Sequence, residues 1–300
     1  MPNTHPMSAD FEFTKYQGCG NDFILKDELE GPTTPDVVRS ALAKKLWNRN
    51  FWIGADGVIF VEPATGADGS MRLFEPAGNE ADMCGNGLRC VASFLMERLG
   101  KATVDVQTRD GIKRVVREGD EYRVDMGPIR TRRRDLSAYM TDPGSPEDSM
   151  LDIPLTVGGD AVKASILFTG EPHIVVVTED LDSLDIKSIG EEVNRDRTRF
   201  PSYVNINLIQ LDGPHEISIR TYERGVFNES LACGTGATAC AAAALLLGLV
   251  EAGPVTVNVR GGSIHIEVDD SGNATMTGPA LKVYSGTLSV ADVLQPARSG

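Results

Sequence analysis

The sequence predicts an α/β protein made of two like domains, and three observations carry that reading. The chain has 300 residues, long for one core and comfortable for two at about 100–200 residues per domain. A tetrapeptide of the form Cys-Gly-x-Gly occurs twice, at Cys84-Gly-Asn-Gly87 and Cys233-Gly-Thr-Gly236, with the cysteines 149 residues apart. Each copy follows strand-like segments, opens an apolar helical pattern and is succeeded by further strands. Repetition at half the chain length predicts two pseudo-symmetric domains of mixed α+β sheet rather than a solenoid, whose period is about 20–50 residues.

Residues 1–10 read as a disordered extension. Residues 11–16 alternate as a strand, 18–22 turn the chain, and 23–25 resume as a second strand. After the start signal Thr34-Pro35-Asp36, Val38, Leu42 and Leu46 fall at helical spacing. Short buried strands follow at 58–61 and 70–74. Leu88, Val91, Ala92, Leu95 and Leu99 then form one apolar helix face, ended by Gly100. Residues 104–126 hold three strands separated by turns at 110–111 and 118–120. Residues 129–152, a basic run followed by Asp142-Pro-Gly-Ser-Pro146, read as the interdomain connection. Strands are predicted at 153–157, 161–168 and 174–177, a helix at 185–193, and strands at 205–210 and 217–222. The second apolar helix covers 237–249, and strands at 255–260, 263–268 and 274–277 close the second half.

Asp plus Glu number 43 against 29 Lys plus Arg, a net charge of −14. That is the wrong sign for tracking phosphates, and the one basic run, Arg130, Arg132, Arg133 and Arg134, reads as a solvated linker, so no nucleic-acid partner is expected. No stretch reaches the roughly 18–20 apolar residues of a bilayer helix, and the first ten residues lack an apolar leader, so the expectation is a cytoplasmic protein without a membrane partner. The five cysteines, Cys19, Cys84, Cys90, Cys233 and Cys240, are odd in number and scattered, which argues against a disulfide framework. None has zinc-site spacing, and no metal is expected. Cys90 and Cys240 lie inside helical patterns and read as buried small residues; Cys19, in a turn, leans structural.

Cys84 and Cys233 differ because each stands at a helix start. There the first backbone N–H groups lack intrahelical partners and the dipole favours an anion, so a thiol at that position is expected to have a lowered pKa. The glycines allow close approach by a ligand. Two such starts, one from each half, could hold a carboxylate and present a sulfur to either face of the adjacent carbon. One thiolate takes a proton while the other thiol returns one, inverting a stereocentre without a cofactor. The low acidity of that proton requires preorganised charge in a water-poor site.

The segments Gly18-Cys-Gly-Asn-Asp-Phe23, Gly54-Ala-Asp-Gly57, Met83-Cys-Gly-Asn-Gly-Leu-Arg-Cys90, Pro172-His173, Tyr222-Glu-Arg-Gly225 and Ala232-Cys-Gly-Thr-Gly-Ala237 resemble the diaminopimelate epimerases, in order and spacing, over about residues 11–290. The resemblance implies two α/β domains, each a mixed sheet curled round a central helix, spanning 11–128 plus 279–295 and 129–278. It implies interconversion of LL- and meso-diaminopimelate without pyridoxal phosphate, in lysine and peptidoglycan precursor synthesis. Pairing of two copies as a homodimer is left open by the sequence. Carried over by position, Cys84 and Cys233 are the acid/base pair. Gly85, Asn86, Gly234 and Thr235 hold the reacting carboxylate through backbone N–H groups. Asn21 and Glu223 contact the substrate near its reacting amino group, His173 sits beside the thiols, and Asn205 and Arg224 bind the distal carboxylate.

Among the departures from the family pattern, Glu75 and Glu171 stand where neutral amides are usual, Gly57 stands where some members have Gln, and the segment between Arg224 and Cys233 is about one residue longer. Both glutamates are expected to contact the far end of the substrate. They leave open a racemase of a basic amino acid, such as histidine, lysine, ornithine or arginine, on the same scaffold. A proline-racemase type of isomerase is disfavoured by the Glu-Arg-Gly and Pro-His motifs. Two converging thiols also predict reversible inactivation by a Cys84–Cys233 disulfide.

Overall fold

A computed structural model describes residues 10–157 and 160–295 of the chain. The described residues form two compact units, one running to Tyr122 and resuming at Ala280, the other covering Arg123–Pro279. Of the extension expected over 1–10, residues 1–9 lie outside the described residues, and Asp10 begins the first strand.

In the first unit the chain runs β1 (Asp10–Gly18), β2 (Asn21–Asp27), α1 (Asp36–Leu46), β3 (Gly57–Glu62), β4 (Gly69–Phe74), β5 (Glu80–Ala81), α2 (Gly85–Leu99), β6 (Thr103–Thr108) and β7 (Gly111–Glu118). The strand β8 (Glu121–Pro128) carries the boundary. The second unit continues with α3 (Arg133–Leu136), β9 (Ile153–Val157), β10 (Asp160–Phe168), β11 (Pro172–Val177), α4 (Ile186–Arg195), β12 (Asn205–Gly213), β13 (Glu216–Glu223), β14 (Asn228–Ser230), α5 (Gly234–Leu246), β15 (Val255–Val259), β16 (Gly262–Val268) and β17 (Asn273–Pro279). Two last elements, β18 (Leu281–Ser289) and α6 (Val290–Leu294), return to the first unit, where β18 pairs antiparallel with β1.

The pairing repeats between units. In the first, β2 is antiparallel to β1 and parallel to β3, β3 is antiparallel to β4, and β4 is antiparallel to β5 and parallel to β6. In the second, β11 is antiparallel to β10 and parallel to β12, β12 is antiparallel to β13, and β13 is antiparallel to β14 and parallel to β15. Within each unit one helix is central. α2 packs against β1, β2, β4, β6, β7 and β18, and α5 against β10–β13 and β15–β17. Residues 236–244 of α5 are all buried, which suits a helix apolar on every face. The amphipathic α2 buries Leu88, Val91, Ala92 and Leu95, while Leu99 is exposed at its last turn, before Gly100 closes the helix at φ 65°. The α/β class with two repeated mixed-sheet units is therefore the observed architecture.

The segment 129–152 is not a connection. It contains α3, bridges β10 through the Arg130–Phe168 pairing, and buries Leu136, Met140 and Met150 in the core of the second unit. Its basic run is consumed locally: Arg133 pairs with Asp142, Arg134 with Glu147, and the Arg130 guanidinium lies 5.7 Å from the Phe168 ring centre. Charge and Pro/Gly content suggested solvated chain because ion-pair partners nearby in space are invisible to composition.

Candidate active site

Each unit carries one half of the expected residue set, and the β-register relates the halves position by position. Phe23 pairs with Gly57 where His173 pairs with Asn205, and Ile59 pairs with Leu73 where Asn207 pairs with Thr221. Two residues further along, Glu75 and Glu223 occupy equivalent places at the hairpins leading to the two cysteines. Asn21 and Glu171 are likewise equivalent, two residues before Phe23 and His173.

In the first unit Cys84 caps α2 in extended conformation, φ −146° and ψ 117°, and its carbonyl accepts from Leu88 N–H at 2.8 Å. The Cys84 Sγ lies 3.8 Å from Asn21 Oδ1, which also accepts from Asn86 Nδ2 at 3.1 Å. Asn21 in turn donates to Asp56 Oδ2 at 2.7 Å. Behind it, Arg49 binds both Asp22 oxygens at 2.7 Å and Asp56 at 2.9 Å, and Lys15 pairs with Asp22 at 2.8 Å. These four charged residues were not singled out from the sequence. The Gly54-Ala-Asp-Gly57 motif was the available signal, and its Asp56 is what orients Asn21. Arg89, fully buried one turn into α2, donates to Asn86 Oδ1 at 2.9 Å. Glu75 is engaged in its own turn, accepting from the Asn79 side chain while its N–H donates to Asn79 O at 2.9 Å.

In the second unit Cys233 caps α5 with φ −126° and ψ 112°. Its Sγ accepts from Gly236 N–H at 3.4 Å and lies 3.4 Å from Thr235 Oγ1. The residue is 8% exposed. The lowered pKa expected at a helix start is not found here: burial pushes the Cys233 thiol well above its ordinary value, and Glu223 and Glu171 push the same way against Thr235 and Gly236. Desolvation of the anion outweighs the first-turn donors. Cys90 and Cys240 are fully buried and also raised, Cys90 to about 12. Cys19 is buried at φ 52° in the turn between β1 and β2.

The remaining residues expected in the second unit converge. Asn205 Nδ2 donates to Glu171 Oε2 at 2.8 Å, Asn205 Oδ1 accepts from Arg224 N–H at 2.8 Å, and the Arg224 guanidinium meets Glu171 Oε1 at 3.3 Å. His173 is fully buried between Asn205 and Asn207, at 3.4 and 3.1 Å, and burial lowers its pKa to about 4. Thr169 Oγ1 donates to Thr235 O at 2.9 Å, tying the turn before Glu171 to the first turn of α5.

Solved structures define the fold. A probable proline racemase from Agrobacterium radiobacter K84 aligns over 95% of this chain and 98% of its own, with TM-score 0.65 at 14% identity. A hydroxyproline epimerase from Agrobacterium vitis aligns over 93% and 91% with TM-score 0.65 at 16% identity. The protein thus shares the fold of these two proteins. Sequence relatives are more specific. A family model described as diaminopimelate epimerase matches residues 13–131 and 166–283. The diaminopimelate epimerase of Synechococcus sp. JA-3-3Ab is 41% identical over 94% of this chain and 99% of its own length. That of Pelotomaculum thermopropionicum is 38% identical over 91% and 97%. The chain belongs to the diaminopimelate epimerase family and is an enzyme of the isomerase class. Among the described residues, no helix is long and apolar enough to cross a membrane.

Proposed function

We propose that the protein interconverts LL- and meso-2,6-diaminopimelate by passing an α-proton between substrate and two thiols, with no cofactor, as a step of lysine and peptidoglycan precursor synthesis in the cytoplasm. The observation that carries this reading is the register-matched pair of half-sites, each ending in a cysteine at the start of a central helix. First-turn N–H groups of Gly85 and Asn86, and of Gly234 and Thr235, receive the reacting carboxylate, where helix dipoles favour an anion. Cys233, kept protonated by burial, enters as the acid. Cys84 is then the base, and the roles exchange in the reverse direction. Asn21 and Glu223 take the reacting amino group.

Arg224, with Asn205 behind its backbone, is a planar cation suited to a distal carboxylate. Its presence favours diaminopimelate over a basic amino acid, which has no second carboxylate. The apolar side chains Leu281, Val283 and Tyr284 exposed on β18 support pairing of two copies, and a solution mass of one chain would refute that pairing.

The test is chiral chromatography of LL-diaminopimelate incubated in deuterated water without pyridoxal phosphate or added metal. The expected result is meso product with a single solvent-derived deuterium. Inert diaminopimelate together with racemised L-lysine or L-histidine would replace this reading with a basic amino-acid racemase.

A further inference from the structure

The layer beneath each helix start is built differently in the two units. Beneath Gly87 of α2 lie Ile59 and Phe23, and beneath Gly236 of α5 lie Asn207 and Thr221. The register makes Phe23, Ile59 and Leu73 equivalent to His173, Asn207 and Thr221. One copy of the fold therefore makes this layer from hydrocarbon. Burying polar groups there costs about 1–3 kcal/mol each unless every group is paired, so the polar copy calls for a functional reason.

The hydrogen bonds in that copy determine one another. Asn207 Nδ2 donates to the Ile174 carbonyl at 3.0 Å, and Asn207 Oδ1 accepts from Thr221 Oγ1 at 2.9 Å. A carbonyl only accepts, so the amide orientation is fixed and the group facing His173 Nδ1 at 3.1 Å is an N–H donor. With Nδ1 accepting, the proton of a neutral ring is on Nε2. Asn205 is oriented just as firmly, between Arg224 N–H and Glu171 Oε2. It too presents its Nδ2 to the ring, at the longer distance of 3.4 Å from Nε2; a neutral ring accepts at only one nitrogen, and the closer amide, Asn207 at 3.1 Å, makes that nitrogen Nδ1.

We propose that Asn207, held by Thr221, is a positioning residue that locks His173 as the neutral Nε2–H tautomer. The ring thereby becomes a fixed hydrogen-bond donor for the bound substrate and is removed as a base for the Cys233 thiol. Burial of the ring supports the neutral state, and the charged groups facing it are Glu171 and Arg224, of opposite sign. Asn207 is no part of the acid/base pair; it acts only through His173.

The test is long-range proton–nitrogen NMR of the 15N-labelled full chain, together with kinetics. The wild type is expected to show His173 protonated on Nε2 only, unchanged across about pH 5 to 8, where an ordinary histidine titrates. Asn207→Asp puts an acceptor against Nδ1. It should move the proton to Nδ1, leave the ring charged near neutrality, lower kcat/KM by about tenfold or more and add an ionisation to its pH profile. Asn207→Leu, which copies the hydrocarbon of the other unit, should fold and lose the tautomer preference. A wild-type His173 carrying its proton on Nδ1, or titrating near its ordinary pKa, overturns the proposal. So does a folded Asn207→Asp with an unchanged pH profile. The kinetic arm rests on the proposed reaction, whereas the spectroscopic arm does not: a wild type inert toward diaminopimelate refutes that reaction and leaves the tautomer measurable.

Discussion

Glu171 and Arg224 form an ion pair at 3.3 Å, bridged by the two ends of the Asn205 side-chain amide. An anion and a cation held side by side match an amino-acid head group, the cation meeting its carboxylate and the anion its ammonium. Diaminopimelate carries such a head group at its non-reacting end. Replacing Arg224 by Gln should raise KM for diaminopimelate about 10- to 100-fold with kcat nearly unchanged, as expected for loss of a charged hydrogen bond that binds substrate and transition state alike. Glu171→Gln should raise KM less, by about tenfold. Tighter binding in Glu171→Gln would instead make the glutamate a competitor for Arg224.

The high pKa of Cys233 has a chemical signature. Iodoacetamide attacks thiolates, so Cys233 should label more slowly at pH 7 than a free cysteine and accelerate as pH rises past the ordinary thiol range. Glu223→Gln removes a carboxylate that opposes ionisation and should speed labelling at fixed pH. Peptide mapping after timed quenching reads both rates. Labelling of Cys233 at the free-cysteine rate contradicts the assignment of this thiol as the resting acid.

Acid stability follows from His173. Its folded pKa of about 4 lies below the unfolded value near 6.5, so the unfolded chain binds the extra proton first. Stability from this residue is fully present above about pH 6.5 and is lost as pH falls toward 4, to the order of 3 kcal/mol. Thermal melts of the wild type should therefore lose Tm over that window, and His173→Gln should flatten the slope. Equal slopes in both proteins count against a buried neutral ring.

Gly190 of α4 lies against Tyr222 of β13, and a Cβ there would come within 2.2 Å of the ring. Gly190→Ala should cost about 1–3 kcal/mol by overpacking. Because Tyr222 directly precedes Glu223 and Arg224, kcat/KM should fall as well. A melt with unchanged Tm would show that the ring moves aside freely.

Much of the candidate site was legible because it is local. The two Cys-Gly-x-Gly starts and the apolar faces that follow them are contiguous patterns, and they located both central helices. What escaped was set by pairing between distant strands. Asn207 lies in an alternating Asn-Ile-Asn-Leu run, and nothing local says that both faces of β12 are buried. Only the repeat, which aligns Asn207 with Ile59, marks it as an unusual choice. Asp22, Arg49 and Asp56 join through space across 35 residues. Residues 129–152 read as a connection for the same reason, since the partners of Arg133 and the burial of Met150 appear only once the chain is folded.

In the proposed reaction one thiol removes the α-proton and a different one returns it. The most direct measurement compares solvent deuterium incorporation into LL-diaminopimelate by the wild type, Cys84→Ala and Cys233→Ala. The wild type is expected to yield singly labelled meso product, and each variant, though folded, to lose epimerisation by about 100-fold or more. Either alanine variant epimerising at the wild-type rate would contradict the two-thiol reaction.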